Sequence, residues 1–237
     1  TWRFAENQWD YVGDGNANIS QTYNGWIDLY SWGTSGWDNG NLSFQPYDIA
    51  ISNNSEIGYG YGPTDGSIYD YDLTGSYADA DWGVFNAITN GGNSPGLWFT
   101  LTGPEWDYVF NTRYTSSGIR FVKGTVNGVD GMILLPDNWS TDTYVLNNGN
   151  NSGSSFSANT MTVLQWIILE QAGAVFLPTA SYRYDVYVNG VSTGHYWSAS
   201  SGGSGNALSI DFNNYGFDVG NSSSRYYGNS VRLVQDY

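Results

Sequence analysis

The amino-acid sequence predicts one α+β domain with short strands, about three helices and long irregular loops rich in aromatic residues. Three observations predict this class: two capping-box patterns that begin helices, several short runs of alternating apolar and polar residues, and an aromatic content of 17%. No segment repeats at a fixed period, and no linker interrupts the 237 residues. We therefore expect a single domain over 1–237, with a loop-rich part at 1–76 and a core at 77–237.

The N-terminal part has little helical periodicity, and its Trp and Tyr residues recur at irregular intervals. A long segment without regular structure needs internal packing inside a compact domain, so we expect ordered loops held by aromatic rings. The run Asp14-Gly15-Asn16 is similar to the start of an oxygen-ligand calcium loop. It lacks the Gly and the distal Glu of an EF-hand, which favours an Asx-rich turn.

Three segments are predicted to be helical. The first covers residues 77–88, where apolar side chains share one face. The second begins after Thr102 and the third after Thr162. Each Thr is followed three residues later by Glu105 or Gln165, which is the spacing of a capping box.

Strands and hairpins are predicted from alternation and from Asn-Gly pairs. Leu208, Ile210 and Phe212 alternate with polar residues, which indicates a strand with one buried face. An Asn-Gly pair between two apolar runs is a strong signal for a two-residue hairpin turn. Two hairpins follow: 121–126 with 129–135 around Asn127-Gly128, and 184–188 with 191–196 around Asn189-Gly190.

Composition excludes several kinds of chemistry. The formal net charge is −15 and the one lysine, Lys123, is joined by six scattered arginines, so nucleic acid and anionic membrane surfaces are not expected partners. Without cysteine there are no thiol nucleophiles, disulfides or thiolate-bound metals, and one histidine, His195, argues against zinc or non-haem iron. No apolar run approaches the length of a membrane span. We expect no cofactor, no metal and no membrane insertion.

The stretch from Tyr196 to Val234 has an unusual composition. Between Ser198 and Ser230, 23 of 33 residues are Ser, Gly, Asn or Tyr. Antibody paratopes combine the same adaptable polar groups and rigid aromatic anchors. We expect this region to bind a glycan or an extracellular protein through Trp197, Asn213, Asn214, Tyr215, Asp218, Asn221, Arg225, Tyr226 and Tyr227.

In this hypothesis Arg225 grips a carboxylate of the partner and the aromatic rings supply flat contact faces. The alternative is an ordinary glycine-rich loop in which Tyr226 and Tyr227 pack on their own sheet. Abundant Gly, Asn and Ser with almost no Lys is typical of an exported protein. We therefore expect the protein outside the cell or on a bacterial cell surface.

Three segments resemble a known group of proteins. The run 98–108 (WFTLTGPEWDY) resembles a conserved segment of sulfatase-modifying-factor domains, and Tyr196-Trp197-Ser198 followed by 228–234 is similar to the closing strands of the same group. The nearest resemblance is to the major paralogous domain family of gut-anaerobe surface proteins. It covers most of the chain after about Tyr77 and implies a C-type-lectin-like fold.

The resemblance does not extend to the catalytic branches of this group. The formylglycine-generating branch needs cysteines with copper, and the sulfoxide-synthase branch needs several histidines with iron. The calcium-dependent lectins carry tripeptides that Gln45-Pro46-Tyr47 and Trp37-Asp38-Asn39 do not reproduce. A further branch contains retroelement-diversified binding proteins, whose variable residues occupy the position of 213–229. The resemblance thus implies a non-catalytic, hypervariable binding module.

Two alternatives belong to other functional classes. A glycoside hydrolase needs two carboxyl groups at a defined separation. Candidate acids are Asp81, Glu105, Asp107, Glu170 and Asp211, and a hydroxyl–His–acid triad would have to use His195. A structural subunit of a surface fibre would use edge strands near Trp2 or Val231 to accept a partner strand.

Overall fold

The computed structural model describes residues 3–18, 23–33, 38–39, 42–43, 71–82, 90, 94, 96–184, 187–203, 205–225 and 227–236. Within these ranges the protein is α+β, as predicted, and is built mostly of short strands. The strands are β1 (Asp38–Asn39), β2 (Leu42–Ser43), β3 (Phe99–Thr100), β4 (Phe121–Val126), β5 (Val129–Leu134), β6 (Thr160–Met161), β7 (Val175–Pro178), β8 (Tyr182–Tyr184), β9 (Tyr187–Asn189), β10 (Gly194–Gly203), β11 (Asn206–Phe212), β12 (Phe217–Ser224) and β13 (Leu233–Val234).

The part of the chain that the structure describes contains two α-helices, α1 (Gly103–Asp107) and α2 (Val163–Gln171), rather than about three. The chain after α1 continues as a π-helical turn over Tyr108–Thr112. Where the first helix was predicted, a 3-10 helix covers Gly75–Ala80, and Asp81 and Trp82 leave it in a turn. The rest of that prediction, 83–88, lies outside the described residues.

Both predicted capping boxes are confirmed. The Thr102 hydroxyl accepts from the Glu105 amide, and the Glu105 carboxylate accepts from the Thr102 amide at 2.8 Å. Thr162 and Gln165 repeat the arrangement at the start of α2. Each box satisfies two amides that the first helical turn leaves unpaired.

The central four-stranded sheet has the order β6-β4-β5-β7, with β6 parallel to β4 and the other pairs antiparallel. The predicted hairpin at Asn127-Gly128 is confirmed, since both residues have positive φ, as a two-residue hairpin turn requires. One face, with Val122, Ile133 and Phe176, packs against α2, and the opposite face packs against the second sheet.

The second sheet has the order β10-β11-β12 and is antiparallel throughout. On the other side of β10 lies the segment 228–230, where the Ser230 amide donates to the His195 carbonyl and the Trp197 amide donates to the Ser230 carbonyl. Tyr196, Ile210 and Phe212 point from this sheet into the core shared with α1. The molecule therefore has three layers: α2, the central sheet, and the sheet that carries the C-terminal region.

The second predicted hairpin is wrong. The strands β8 and β9 pair Tyr184 with Tyr187, so the chain reverses between these residues and not at Asn189-Gly190. Gly190 instead begins a separate turn, because its carbonyl accepts from the amide and the hydroxyl of Thr193 at 3.0 and 2.6 Å.

The described N-terminal segments are held by aromatic rings. Phe4 stacks on Trp82, and Tyr30 meets Trp82 edge-on. The indole of Trp32 donates to the Ser198 carbonyl at 2.7 Å, which ties this part of the chain to β10. Residues Gly13–Asn18 form a 3-10 helix, and the described residues contain no cluster of three acidic or histidine side chains able to hold a metal.

Candidate functional site

The loop that joins β11 to β12, Asn213–Gly216, projects from the C-terminal sheet. Its tip is Tyr215, whose side chain is 89% exposed. The Asn213 carboxamide oxygen accepts from the Tyr215 amide at 2.7 Å and the Gly216 amide at 3.2 Å. Asn214 is turned the other way, because its carboxamide oxygen accepts from the Phe156 amide at 2.9 Å. The loop presents one aromatic ring on a backbone fixed by its two Asn side chains.

Lys123 fixes the same loop from below. It is fully buried on β4, and its ammonium group donates to the Asn213 carbonyl at 2.6 Å, to the Gly216 carbonyl at 3.2 Å and, more closely still, to the Ser152 carbonyl. The Phe156 ring lies 5.7 Å away. Burial lowers the pKa of Lys123 to about 8. Charge-assisted hydrogen bonds are stronger than neutral ones, so this lysine holds both ends of the loop in place.

A cleft of about 460 Å³ opens beside this loop. Four of the residues predicted to bind a ligand line it: Asn213, Tyr215, Asp218 and Asn221. The remaining lining residues are Thr193, His195, Asp211, Phe212, Gly216 and Phe217. The floor is the outward face of β10 and β11, where His195 and Asp211 are directly opposite each other in the register.

A polar network crosses the floor of this cleft. The His195 Nδ1 atom lies 3.0 Å from Oδ1 of Asp211, and its Nε2 lies 3.1 Å from the Thr193 hydroxyl. The Ser209 hydroxyl donates to the same Asp211 oxygen at 2.9 Å, and the Asn221 amide donates to Oδ2. Each side chain is therefore oriented before any ligand arrives, which lowers the entropic cost of binding.

The same network resembles the order hydroxyl, imidazole, carboxylate that acyl-transfer enzymes use. The hydroxyl of Thr193 is, however, committed to the Gly190 carbonyl at 2.6 Å. Ser209 contacts Asp211 rather than His195, so it is not placed as a nucleophile activated by the imidazole. The geometry serves to orient His195 and supplies no activated nucleophile among these residues.

A second, smaller cleft of about 270 Å³ continues from the first and shares His195, Asp211 and Asn221 with it. Tyr182 and Tyr227 stack at 5.6 Å on its far side, and Tyr182 meets the His195 ring edge-on at 4.8 Å. Tyr227 is partly buried and packs against the apolar cluster around Trp32. The prediction that its ring contacts a ligand stays open, whereas Tyr226 lies outside the described residues.

Two predicted contact residues are not on the surface. Trp197 is 1% exposed, and its indole donates to the Tyr30 carbonyl at 2.6 Å. Arg225 is also 1% exposed and lies 4.4 Å from the Trp32 ring, donating to the Asn206 carbonyl and the Ser201 hydroxyl. Both predictions are wrong, because the N-terminal segment around Trp32 covers this end of the sheet.

Four of the five acids considered for glycoside hydrolysis are engaged in separate structural contacts. Asp81 accepts from the Thr100 amide and hydroxyl, Glu105 caps α1, Asp107 accepts from Asn111, and Glu170 accepts from Gln8. Burial raises the pKa of Asp81 to about 7, against the lowering effect of its two Thr100 hydrogen bonds. None of these four lines the cleft beside the loop, whose two described acids are Asp218 and the fifth candidate, Asp211, which contacts His195, Ser209 and Asn221.

The segment around Val231 is not a free strand edge. Asn229 pairs with Tyr30, Ser230 with Tyr196, and Leu233 with Thr100. Trp2, the other proposed edge, lies outside the described residues. In the described ranges no helix has the length and apolar character needed to cross a bilayer.

Sequence reasoning did not assign a site role to Lys123, and it named His195 and Asp211 only as candidates for catalysis. A signal for Lys123 existed, since a single lysine interrupts the apolar run of β4 at a position that alternation places inward. The link between His195 and Asp211 depends on the register of β10 with β11, which the sequence does not specify locally.

The fold and this surface define an α+β protein with an open polar face beside its C-terminal strands. The sequence matches no protein-family model, and comparisons with curated proteins and with solved structures also give no match.

Proposed function

We propose that the protein is a non-catalytic ligand-binding module with a C-type-lectin-like fold, acting outside the cell or on a bacterial cell surface. Its ligand is a glycan or an extracellular protein. The contact surface consists of Asn213, Tyr215, Asp218 and Asn221 from the sequence prediction, joined by His195 and Asp211.

One observation supports this proposal above the others. A mostly exposed tyrosine, Tyr215, stands at the rim of a polar cleft whose loop is fixed by the buried Lys123. Covering an exposed aromatic ring with a ligand removes apolar surface from water, which favours binding. Tyrosine also has few side-chain torsions, so fixing it in a complex costs little entropy. The buried ammonium group of Lys123 holds this loop in one conformation. Such preorganisation suits recognition better than a surface without a partner.

The chemistry of the cleft suits a hydroxyl-rich or peptide ligand. Asp218 and Asp211 accept hydrogen bonds, Asn221 and Asn213 carry carboxamides, and His195 has a ring nitrogen near the cleft. The Oδ1 atom of Asp218 already accepts from the Gly220 amide, which fixes its rotamer. Neither lysine nor arginine occurs among the described lining residues of either cleft, which argues against phosphate or sulfate groups in the ligand.

The test uses Tyr215→Ala and a matched control, Tyr114→Ala, which removes an 80% exposed tyrosine far along the chain from the cleft. Wild-type protein and both variants are applied to a glycan array and to a panel of extracellular proteins. We expect Tyr215→Ala to weaken capture at least tenfold with an unchanged unfolding midpoint, and Tyr114→Ala to behave as wild type. Equal capture by all three proteins, or no capture by the wild type on either panel, would contradict the proposal.

A further inference from the structure

A separate cavity lies between the N-terminal segment and the core, on the other side of β10 from the two clefts. It holds about 330 Å³, within the range of small-molecule sites. Its wall is mostly apolar and includes Phe4, Ile27, Trp98, Leu177 and Val231. Nothing in the proposed function of the C-terminal face uses this cavity.

One carboxylate in the cavity wall is incompletely paired. Oδ2 of Asp28 accepts from the Val12 amide at 2.6 Å, whereas Oδ1 is buried and has no hydrogen-bond partner. Leaving a buried polar atom unpaired costs about 1–3 kcal/mol, so the charged form of Asp28 is disfavoured in the folded protein. Burial raises the pKa of Asp28 to about 6, although the Val12 amide and the Asn16 side chain lower it.

The remaining charges in the cavity leave it acidic. Arg232 is the basic residue among the described lining residues, and its guanidinium donates to Gln8 at 3.0 Å. Gln8 in turn donates to Glu170 at 2.6 Å. The Glu170 carboxylate, which is not among the described lining residues, stabilises the positive charge of Arg232. Glu6 has Arg3 at 3.8 Å, while Asp10 accepts only from the neutral Asn7.

Aromatic rings complete the lining, from Phe4, Tyr11, Tyr30 and Trp98. The faces of such rings attract cations, most strongly in a desolvated site. We propose that this cavity binds a small organic cation, with an ammonium group beside the Asp28 carboxylate and an apolar body against the aromatic and aliphatic wall. The ammonium neutralises a carboxylate that is otherwise buried.

The first test compares 2-phenylethylamine with its uncharged counterpart 2-phenylethanol by isothermal titration calorimetry at pH 7.5. We expect the wild type to bind the amine at least tenfold more tightly than the alcohol. Asp28→Asn keeps an acceptor for the Val12 amide but removes the charge, so its preference for the amine falls to about one. Asp142→Asn makes the same change at an exposed acid and keeps the wild-type preference.

The pH dependence provides a second test. The titratable groups that line the cavity with Asp28 are Glu6, Asp10, Tyr11, Tyr30, Tyr196 and Arg232. Burial raises the pKa values of Tyr30 and Tyr196, so neither phenol ionises between pH 5 and 8. Only the ionised carboxylate binds the ammonium strongly, so affinity of the wild type falls roughly tenfold from pH 7.5 to pH 5. In Asp28→Asn that fall disappears.

The two proposals fail separately. Tyr215→Ala removes the ring at the C-terminal cleft and leaves this cavity intact, so it retains amine binding. Absence of amine binding at millimolar concentration, an equal preference in wild type and Asp28→Asn, or loss of amine binding in Tyr215→Ala would each overturn the cavity assignment.

Discussion

Asp81 gives the sharpest test of how this fold handles a buried charge. Its side chain is 4% exposed and accepts from the Thr100 amide at 2.7 Å and the Thr100 hydroxyl at 2.8 Å. Desolvation raises its pKa from 3.8 to about 7. Because one pH unit corresponds to about 1.36 kcal/mol, the ionised form costs the folded state about 4 kcal/mol.

The sign follows from proton binding. Between pH 3.8 and 7 the folded protein holds a proton on Asp81 that the unfolded chain has released, so stability falls as the pH rises. Above pH 7 the cost is complete, and below pH 3.8 it is absent. Asp81→Asn preserves both hydrogen bonds, since the amide oxygen accepts from the Thr100 amide and the amide nitrogen donates to the Thr100 hydroxyl.

We therefore expect Asp81→Asn to exceed the wild type in unfolding free energy by up to about 4 kcal/mol at pH 8 and to match it near pH 4. Urea unfolding followed by tryptophan fluorescence at pH 4, 6 and 8 measures the difference. Asp142→Asn is the control for charge alone. The reasoning is refuted if the difference in unfolding free energy between wild type and Asp81→Asn stays constant with pH. It is also refuted if the wild type is more stable than Asp81→Asn at pH 8.

Two further substitutions test the polar interior. Lys123→Met keeps the apolar stem but removes the ammonium donor of the Ser152 and Asn213 carbonyls, while the Gly216 carbonyl still accepts from the Asn213 amide, so we expect a loss of about 3 kcal/mol in urea unfolding. We also expect the Gly216 amide to exchange its hydrogen faster in Lys123→Met than in the wild type, with little change in the strands. An unchanged exchange rate at Gly216 would contradict the role of the lysine. Arg225→Met removes donors to Asn206 and Ser201, and we expect a loss of about 2 kcal/mol with ligand capture unchanged. A selective loss of capture without destabilisation would restore Arg225 to the binding surface.

The local features of the fold could be predicted because their causes are local. A capping box needs only Thr102 and Glu105, and the turn at Asn127-Gly128 needs only two residues that accept positive φ. At Asn189-Gly190 the same signal failed. There the Gly190 carbonyl accepts from Thr193 and Ser181, and these contacts bind the pair into a different turn.

The sequence predicted four residues of the candidate site but also two, Trp197 and Arg225, that are buried. Strand geometry explains the error at Trp197. Side chains alternate between the two faces of β10, so His195 and Trp197 share a face. His195 stays at the open end, while Trp197 lies beneath the segment that carries Tyr30 and Trp32. This cover comes from more than 160 residues away in the sequence. A composition rich in Ser, Asn and Tyr marks the region but does not say which end of the sheet is covered.

The placement of the basic residues connects the two proposed sites. Of the seven, only Arg3 is exposed, whereas Lys123, Arg183 and Arg225 are buried and the other arginines are half-buried. Carboxylates such as Asp72, Asp137, Asp142 and Asp236 remain exposed. The outward field is therefore more uniformly acidic than the net charge of −15 implies, because the positive charges are used inside to hold loops and strands. Such a field draws cations toward the surface, which favours an ammonium ligand at Asp28 and disfavours an anionic ligand at the C-terminal cleft.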